Sequence, residues 1–137
     1  MEPRITVLTL GVDDLDRAAA FYRDGLGWPG GDIVGTEFPD GAVAFFQLSG
    51  GLTLALWPRG SLARDAGLGV SPRAPTGLSI GHNVGSADEV DRLYARALDA
   101  GATAIRPPHE TFWGGYSAYF GDPEGHLWEL VFNPAMV

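Results

Sequence analysis

Few side chains in this 137-residue chain can do covalent or acid–base chemistry. There is no cysteine, which excludes disulfides, thiolate metal sites and a cysteine nucleophile. There is also no lysine, because all nine basic residues are arginines, and this rules out Schiff-base chemistry on a lysine. The candidates that need weighing are therefore histidines, one carboxylate in a strand, and a group of aromatic rings.

The three histidines lie in different surroundings. His82 alternates with apolar residues on a predicted strand, so we expect a half-buried, hydrogen-bonded side chain. His109 and Glu110 follow two prolines, which predicts a loop that could reach the mouth of a pocket. His126 belongs to a turn and is expected to be structural. A non-standard metal site made from His82, His109 and Glu129 would need an unusual geometry.

An aromatic pair surrounds two glycines in Trp113-Gly114-Gly115-Tyr116. Glycines allow the backbone to come close to another group, and the rings offer flat surfaces for stacking. This segment could therefore hold a planar ligand. The alternative is that Trp113 begins a strand and Tyr116 packs in the core.

Glu129 is the single candidate for a catalytic side chain, and it allows two interpretations. It could orient a ligand or act as a general base, with its pKa raised by apolar surroundings. It could equally be a structural carboxylate hydrogen-bonded to Ser79, a tyrosine or the backbone. No Ser-His-Asp arrangement, phosphate loop or dinucleotide fingerprint is present in the sequence.

Composition limits the partners. The net charge of −8, without a basic cluster, argues against nucleic acid. The apolar runs are too short to cross a bilayer, and Met1-Glu2-Pro3-Arg4 does not resemble a signal peptide. We therefore expect a cytoplasmic protein without nucleic-acid or membrane partners.

The elements that must position these residues follow from an internal repeat. Residues 44–51 resemble residues 118–125 at an offset of 74, and each half begins with an alternating strand, 4–12 or 77–84. An amphipathic helix follows each strand, with Asp13 or Asp14 as one cap, a Ser86–Glu89 capping box for the other, and Gly25 and Gly101 as C-caps. Three further strands follow in each half, at 31–38, 42–48 and 52–57, and at 103–107, 115–121 and 127–133.

The repeat predicts an α+β fold of two βαβββ modules within a single domain, 1–137. Module one spans 4–57, a Gly/Pro/Ser-rich loop or linker spans 58–77, and module two spans 77–133. Side by side, the modules would form a curved eight-stranded mixed sheet with helices on the outer face. The concave face would be open to a ligand. Alternation turns the following side chains inward: Val7, Thr9, Ala55, Trp57, Ser79 and Glu129.

Two stretches resemble a known family, the vicinal oxygen chelate superfamily of glyoxalases, extradiol dioxygenases and bleomycin resistance proteins. One stretch is residues 12–22 followed by Leu26-Gly27, and the other runs from Trp113 through Gly121-Asp122-Pro123-Glu124-Gly125-His126 to Leu130. Resistance proteins of this family bind planar drugs between aromatic rings, and the segment from Trp113 to Tyr116 resembles theirs. The resemblance supports the fold, and it leaves the chemistry open because the family hosts many reactions.

The resemblance also implies where a divalent metal would sit. Enzymes of the family bind it through four side chains, and those positions fall at Val7, Ala55, Ser79 and Glu129. Val7 and Ala55 have no donor atom and a neutral Ser79 hydroxyl is a poor ligand, so only Glu129 could bind a metal. We therefore predict no metal and no cofactor.

Three hypotheses for the function follow. The first is a metal-free protein that binds a small, partly aromatic ligand or metabolite through the predicted inward side chains together with Trp113 and Tyr116. The alternative is a glyoxalase-like lyase, isomerase or dioxygenase that uses Glu129 with an unconventional metal site or metal-free acid–base chemistry. A third is an interaction module. The family's usual assembly implies a homodimer.

Overall fold

The computed structural model describes residues 1–72 and 75–136, which fall into two compact units that divide after Pro72. The first unit contains four strands, two α-helices and a π-helical turn. They follow one another as β1 (Val7–Val12), α1 (Leu15–Ala20), the π-helical turn (Phe21–Gly25), β2 (Ile33–Val34), β3 (Val43–Gln47), β4 (Thr53–Pro58) and α2 (Arg59–Ala66).

The second unit repeats the pattern with one α-helix. Its elements are β5 (Ser79–Val84), α3 (Ala87–Asp99), β6 (Thr103–Glu110), β7 (Tyr116–Gly121) and β8 (Leu127–Phe132). The strand orders are β1-β4-β3-β2 and β5-β8-β7-β6, and in each sheet the first and last strands of the module pair in parallel. The predicted α+β class and the two βαβββ modules are confirmed.

The core of the first unit lies between its sheet and α1. Alternation along the strands turns Leu10, Phe46 and Leu56 to the helix side, where all three are buried. Tyr22, just after α1, packs edge-on against Phe46 with ring centroids 5.9 Å apart. Burial of each such side chain stabilises the fold by about 1.5–3 kcal/mol. The opposite face of the sheet, turned away from α1, is called the first far face.

The core of the second unit lies between its sheet and α3. Val90, Tyr94 and Ala97 form the buried stripe of the helix. On the sheet side, Phe120 and Trp128 stack with their ring planes 2° apart. The face of this sheet turned away from α3 is called the second far face.

The helix starts agree with the sequence, and one helix end does not. The Asp14 carboxylate accepts a hydrogen bond from the Arg17 amide, and the Ser86 hydroxyl accepts one from the Glu89 amide. Gly101 has a positive φ of 109°, as a C-cap glycine should. The predicted cap at Gly25 is wrong: the chain makes a π-helical turn there, and Gly27, with a φ of 76°, is the residue with left-handed backbone.

Two predicted loops contain regular structure. The segment 58–77 was expected to be a loop or linker, and its first part forms α2, because its glycines, prolines and serines lie mostly outside the helix-forming run from Leu62 to Ala66. His109 and Glu110 were expected on a loop, yet both belong to β6. This strand is at the edge of its sheet, where prolines do not break the hydrogen-bond ladder.

The strand predicted at 31–38 is much shorter. Only Ile33 and Val34 pair with β3. Gly31 and Gly35 on either side have φ values of 83° and 78°, and this left-handed backbone cannot continue a strand.

No helix among the described residues has the length and apolarity needed to cross a membrane.

Asp40 connects the loop before β3 to α2. Its carboxylate accepts hydrogen bonds from the Ser61 hydroxyl at 3.0 Å and from the Arg64 guanidinium at 2.9 and 2.6 Å. Its backbone carbonyl accepts one from the Trp57 indole at 2.9 Å. The hydrogen bond from Arg64 is the main cause that lowers the pKa of Asp40 to about 2.

We predict that Asp40→Asn lowers the free energy of unfolding at neutral pH. The substitution should also reduce the loss of that free energy as the pH falls. Because the pKa of Asp40 is lower in the folded protein, its contribution is present above pH 4 and is lost as the pH falls towards 2. Urea unfolding between pH 2 and pH 7 measures this. Asp65→Asn, an exposed change within α2, is the matched control. Equal acid sensitivity in wild type and Asp40→Asn would contradict the prediction.

Candidate functional site

The candidate site is a row of residues across the second far face. The parallel register of β5 and β8 places Gly81 opposite Glu129, and the antiparallel register of β7 and β8 places Tyr119 on the other side of Glu129. Residues directly opposite one another share a face of the sheet. The three residues therefore form a continuous strip over three strands.

Glu129 and Tyr119 are joined by a hydrogen bond, in which the phenol donates to the carboxylate. This bond is the main cause that raises the pKa of Tyr119 above its usual value, and burial acts in the same direction. The positive charge of Arg106 opposes the shift. The sequence left Ser79, a tyrosine or the backbone as possible hydrogen-bond partners of Glu129. The structure shows that a tyrosine, Tyr119, is a partner.

Gly81 leaves space beside this pair. A Cβ atom at Gly81 would lie 4.0 Å from the nearer Glu129 oxygen, with no closer neighbour. The carboxylate is half-buried, and it borders an opening rather than a packed side chain. A carboxylate has about four lone-pair positions, so Glu129 can accept hydrogen bonds beyond the one from Tyr119.

The equivalent row of the first unit has different chemistry. There, Thr9 pairs with Ala55, and Ala55 pairs with Phe45. The offset of 74 relates Ala55 to Glu129 and Phe45 to Tyr119. The first far face therefore has a methyl group and a phenyl ring where the second has an acid and a phenol. Tyr119 was missed as a site residue, although its match with Phe45 in the repeat was a signal.

The other predicted inward positions lie on the same far faces. Val7 pairs with Thr53, two residues before Ala55, and it is 51% exposed. Ser79 pairs with Leu127, two residues before Glu129, and is also exposed. The structure thus brings Val7 to the face of Ala55 and Ser79 to the face of Glu129. That all four side chains meet in one hollow stays a prediction.

Trp57 lies at the end of the first far face, beside α2. Its half-buried indole donates to the Asp40 carbonyl. A Cβ atom at Gly11, its neighbour on β1, would lie 2.9 Å from the Arg59 side chain, so α2 covers this end of the face. The Trp57 indole therefore connects the end of β4 to the loop before β3.

Trp113 and Tyr116 are separated from the Glu129 row. The Tyr116 side chain is on the α3 side of the sheet, where its hydroxyl donates to Asp91 at 2.7 Å. Trp113 is 43% exposed and its ring lies over Gly115. A pocket of about 370 Å³ opens beside this turn, lined by Tyr116 and Glu110 among others. Tyr116 borders this pocket and Trp113 does not, and Tyr116 lies on the opposite face of the sheet from Glu129.

The three histidines differ in exposure and in their partners. His82 is exposed, which corrects the expected half-buried position and follows from its place on an edge strand. The His109 ring nitrogen Nδ1 lies 2.9 Å from the Pro107 carbonyl. The His126 ring and amide both bind the Asp122 carboxylate, at 2.8 Å each, so the expected structural role of His126 in the turn is confirmed.

The amino-acid sequence matches the model of a known family. The model for the glyoxalase/bleomycin resistance protein/dioxygenase superfamily matches residues 4–130, almost the whole chain. The chain belongs to this superfamily. No curated protein is significantly similar to it in sequence.

Solved structures of the superfamily resemble the chain over nearly all of its length. A glyoxalase-related enzyme from Fulvimarina pelagi is 36% identical, with a TM-score of 0.81 and coverage of 97% of this chain and 90% of that one. A lactoylglutathione lyase from Agrobacterium tumefaciens is 26% identical, with a TM-score of 0.70 and coverage of 98% and 97%. A superfamily member from Nocardioides is 28% identical, with a TM-score of 0.75 and coverage of 96% and 84%.

The donor set of this chain does not fit the divalent metal of the superfamily's enzymes. At the positions that the resemblance assigns to the metal, Val7 and Ala55 offer only hydrocarbon, and Ser79 offers a neutral hydroxyl. Across residues 1–72 and 75–136, no three His, Cys, Asp or Glu side chains gather as a metal site would require. Glu129 is thus the one carboxylate in the row, and a phenol already binds it.

We predict that Gly115→Ala destabilises the protein by about 1–3 kcal/mol, as overpacking typically does. The new methyl group would overlap the Trp113 ring and lie 2.7 Å from the Phe132 carbonyl oxygen. Urea unfolding measures the loss, and tryptophan fluorescence reports the displaced ring. Gly77→Ala adds a methyl group where nothing lies within 4 Å and serves as the control. Equal stability of the two variants would contradict the packing described here.

Proposed function

We propose that this superfamily member binds a small, partly aromatic molecule on the second far face, without a metal. The hydrogen-bonded pair of Tyr119 and Glu129, beside the opening at Gly81, carries the proposal. A carboxylate held in place by a phenol is positioned to accept a hydrogen bond from a ligand, and the tyrosine ring offers a flat surface next to it.

The pair supports binding more directly than metal chemistry. A metal would have to compete with the Tyr119 hydroxyl for Glu129 and would find too few other ligands in the row. A neutral ligand with a hydroxyl or amide donor meets neither obstacle. The rings of Trp113 and Tyr116 would provide a separate aromatic surface at the nearby turn.

A neutral phenolic amide, 4-hydroxybenzamide, is a suitable probe, because it combines a ring with hydrogen-bond donors. We expect it to bind the wild-type chain, and Glu129→Gln to weaken binding about tenfold, the effect of losing one charge-assisted hydrogen bond. NMR titration measures both dissociation constants. Asp99→Asn removes an exposed carboxylate at the end of α3 in the same module and should change the affinity less than about twofold.

Absence of binding to wild type would contradict the proposal, and so would equal losses in the Glu129 and Asp99 variants. Circular dichroism on each variant establishes that the fold is retained.

Metal binding gives an independent test. We expect dialysis against Zn²⁺, Ni²⁺ or Mn²⁺ followed by elemental analysis to leave well under one ion per chain, because a single carboxylate cannot hold a divalent ion against water. One tightly held ion per chain, lost in Glu129→Gln, would show a metal centre and overturn this part of the proposal.

A second candidate is a glyoxalase-like lyase or isomerase, in which Glu129 acts as base and Tyr119 as its proton-donating neighbour. The hydrogen bond between them favours it, since catalytic bases are commonly positioned in this way. The similarity to a lactoylglutathione lyase suggests methylglyoxal with glutathione as the substrate to try. Turnover that disappears in Glu129→Gln while binding persists would favour the enzyme, and no turnover would favour the binding protein.

We further propose that the chain forms a homodimer. Val7, Val34 and Phe45 are each 44–51% exposed on the first far face, and apolar side chains grouped in this way favour a partner surface.

A further inference from the structure

The edge strand of the second sheet carries a β-bulge next to the Tyr119–Glu129 pair. Ala104 pairs with Phe120 and Arg106 pairs with Tyr119, so Ile105 is an extra residue with no partner in the ladder. Bulges of this kind change the direction of the side chains that follow. Here the bulge brings Arg106 onto the face that holds Tyr119 and Glu129, a position that strict alternation would give to Ile105.

Ile105 remains close to the same face. A Cβ atom at Gly121, two residues after Tyr119 on β7, would lie 3.6 Å from the end of the Ile105 side chain. The isoleucine is 54% exposed. The bulge therefore presents an apolar side chain and a guanidinium together, at the edge of the candidate site.

Among the described residues, no acid forms an ion pair with the Arg106 guanidinium. Other arginines are paired: Arg23 with Asp24, Arg59 with Asp13 and Arg64 with Asp40. Within residues 1–72 and 75–136, Arg106 makes no ion pair or hydrogen bond, and its one interaction is with the Tyr119 phenol through space. In a chain of net charge −8, this is an exposed positive group beside a hydrogen-bonding row.

Tyr119 separates the two charged groups. It pairs with Arg106 on one side and with Glu129 on the other, so the two backbone positions are two strand spacings, about 10 Å, apart. A gap of two strand spacings is wide enough for one six-membered ring over Tyr119. A molecule there would meet a cation at one end and a hydrogen-bond acceptor at the other.

We propose that the ligand of this site is an aromatic carboxylate with a hydrogen-bond donor at its far end: its carboxylate pairs with Arg106, its ring lies over Tyr119 beside Ile105, and its donor binds Glu129. This rests on the proposed function and names its ligand class. A guanidinium can bind a carboxylate through two parallel hydrogen bonds, and the opposite orientation would place the ligand's charge against Glu129.

The experiment compares 4-hydroxybenzoate with 4-hydroxybenzamide, which has the same ring and donor but no charge. We expect the acid to bind wild type about tenfold more tightly than the amide, as one charged hydrogen-bonded pair implies. Arg106→Gln should remove this preference, so that the acid binds this variant no more tightly than the amide does. NMR titration at fixed ionic strength gives all the dissociation constants.

The matched control is Arg92→Gln. It makes the same change in net charge within the same unit, on the exposed side of α3, where Arg92 lies 3.8 Å from Glu89. It should keep the preference for the acid. Benzoate, which lacks the donor, should bind wild type more weakly than 4-hydroxybenzoate does. The two acids should bind Glu129→Gln with equal affinity.

The outcomes separate this inference from the proposed function. If the amide binds and depends on Glu129, but the acid shows no preference that Arg106→Gln removes, the assignment of the ligand class fails and the binding function stands. An equal loss of preference in the Arg92 and Arg106 variants would reduce the effect to overall charge and would also overturn it. If neither probe binds, both proposals fail.

Discussion

The parallel pairing of the first and last strands in each module decides which side chains meet. In the second unit this register places Gly81 against Glu129, and the hairpin of β7 and β8 adds Tyr119. A slip of one residue would turn Glu129 towards the apolar core under α3, where an unpaired carboxylate is costly. The register is therefore held by burial on one face of the sheet, and the polar row on the other face depends on it.

Much of the fold, and the face on which Glu129 lies, can be predicted from the sequence because the internal repeat constrains both. Two copies of one pattern predict two copies of one module, and the alternation in each strand separates Leu10 from Thr9 and Leu130 from Glu129 before any coordinates exist. The same offset matches Ala55 with Glu129. It thereby indicates that the acid lacks a counterpart in the first unit, which is the main reason to doubt a shared metal.

What the sequence could not predict depends on contacts between distant residues or on breaks in the regular period. The bulge at Ile105 shifts the alternation of β6, so no rule of period two places Arg106 beside Tyr119. The π-helical turn after α1 similarly shifts the left-handed residue from Gly25 to Gly27. The glycine and proline content of 58–77 gave no indication of the short helix α2. This helix is stabilised by hydrogen bonds from Ser61 and Arg64 to Asp40, a distant residue in the sequence.

The turn between β7 and β8 has a consequence for how a ligand would be received. The Asp122 carboxylate, 2% exposed, binds the amides of Glu124 and His126 and the His126 ring. Three hydrogen bonds to one buried acid make this connection rigid, so the hairpin that carries Tyr119 and Glu129 is already ordered in the free protein. A preorganised hairpin loses little conformational entropy on association, and even a small molecule can then gain useful affinity from few contacts.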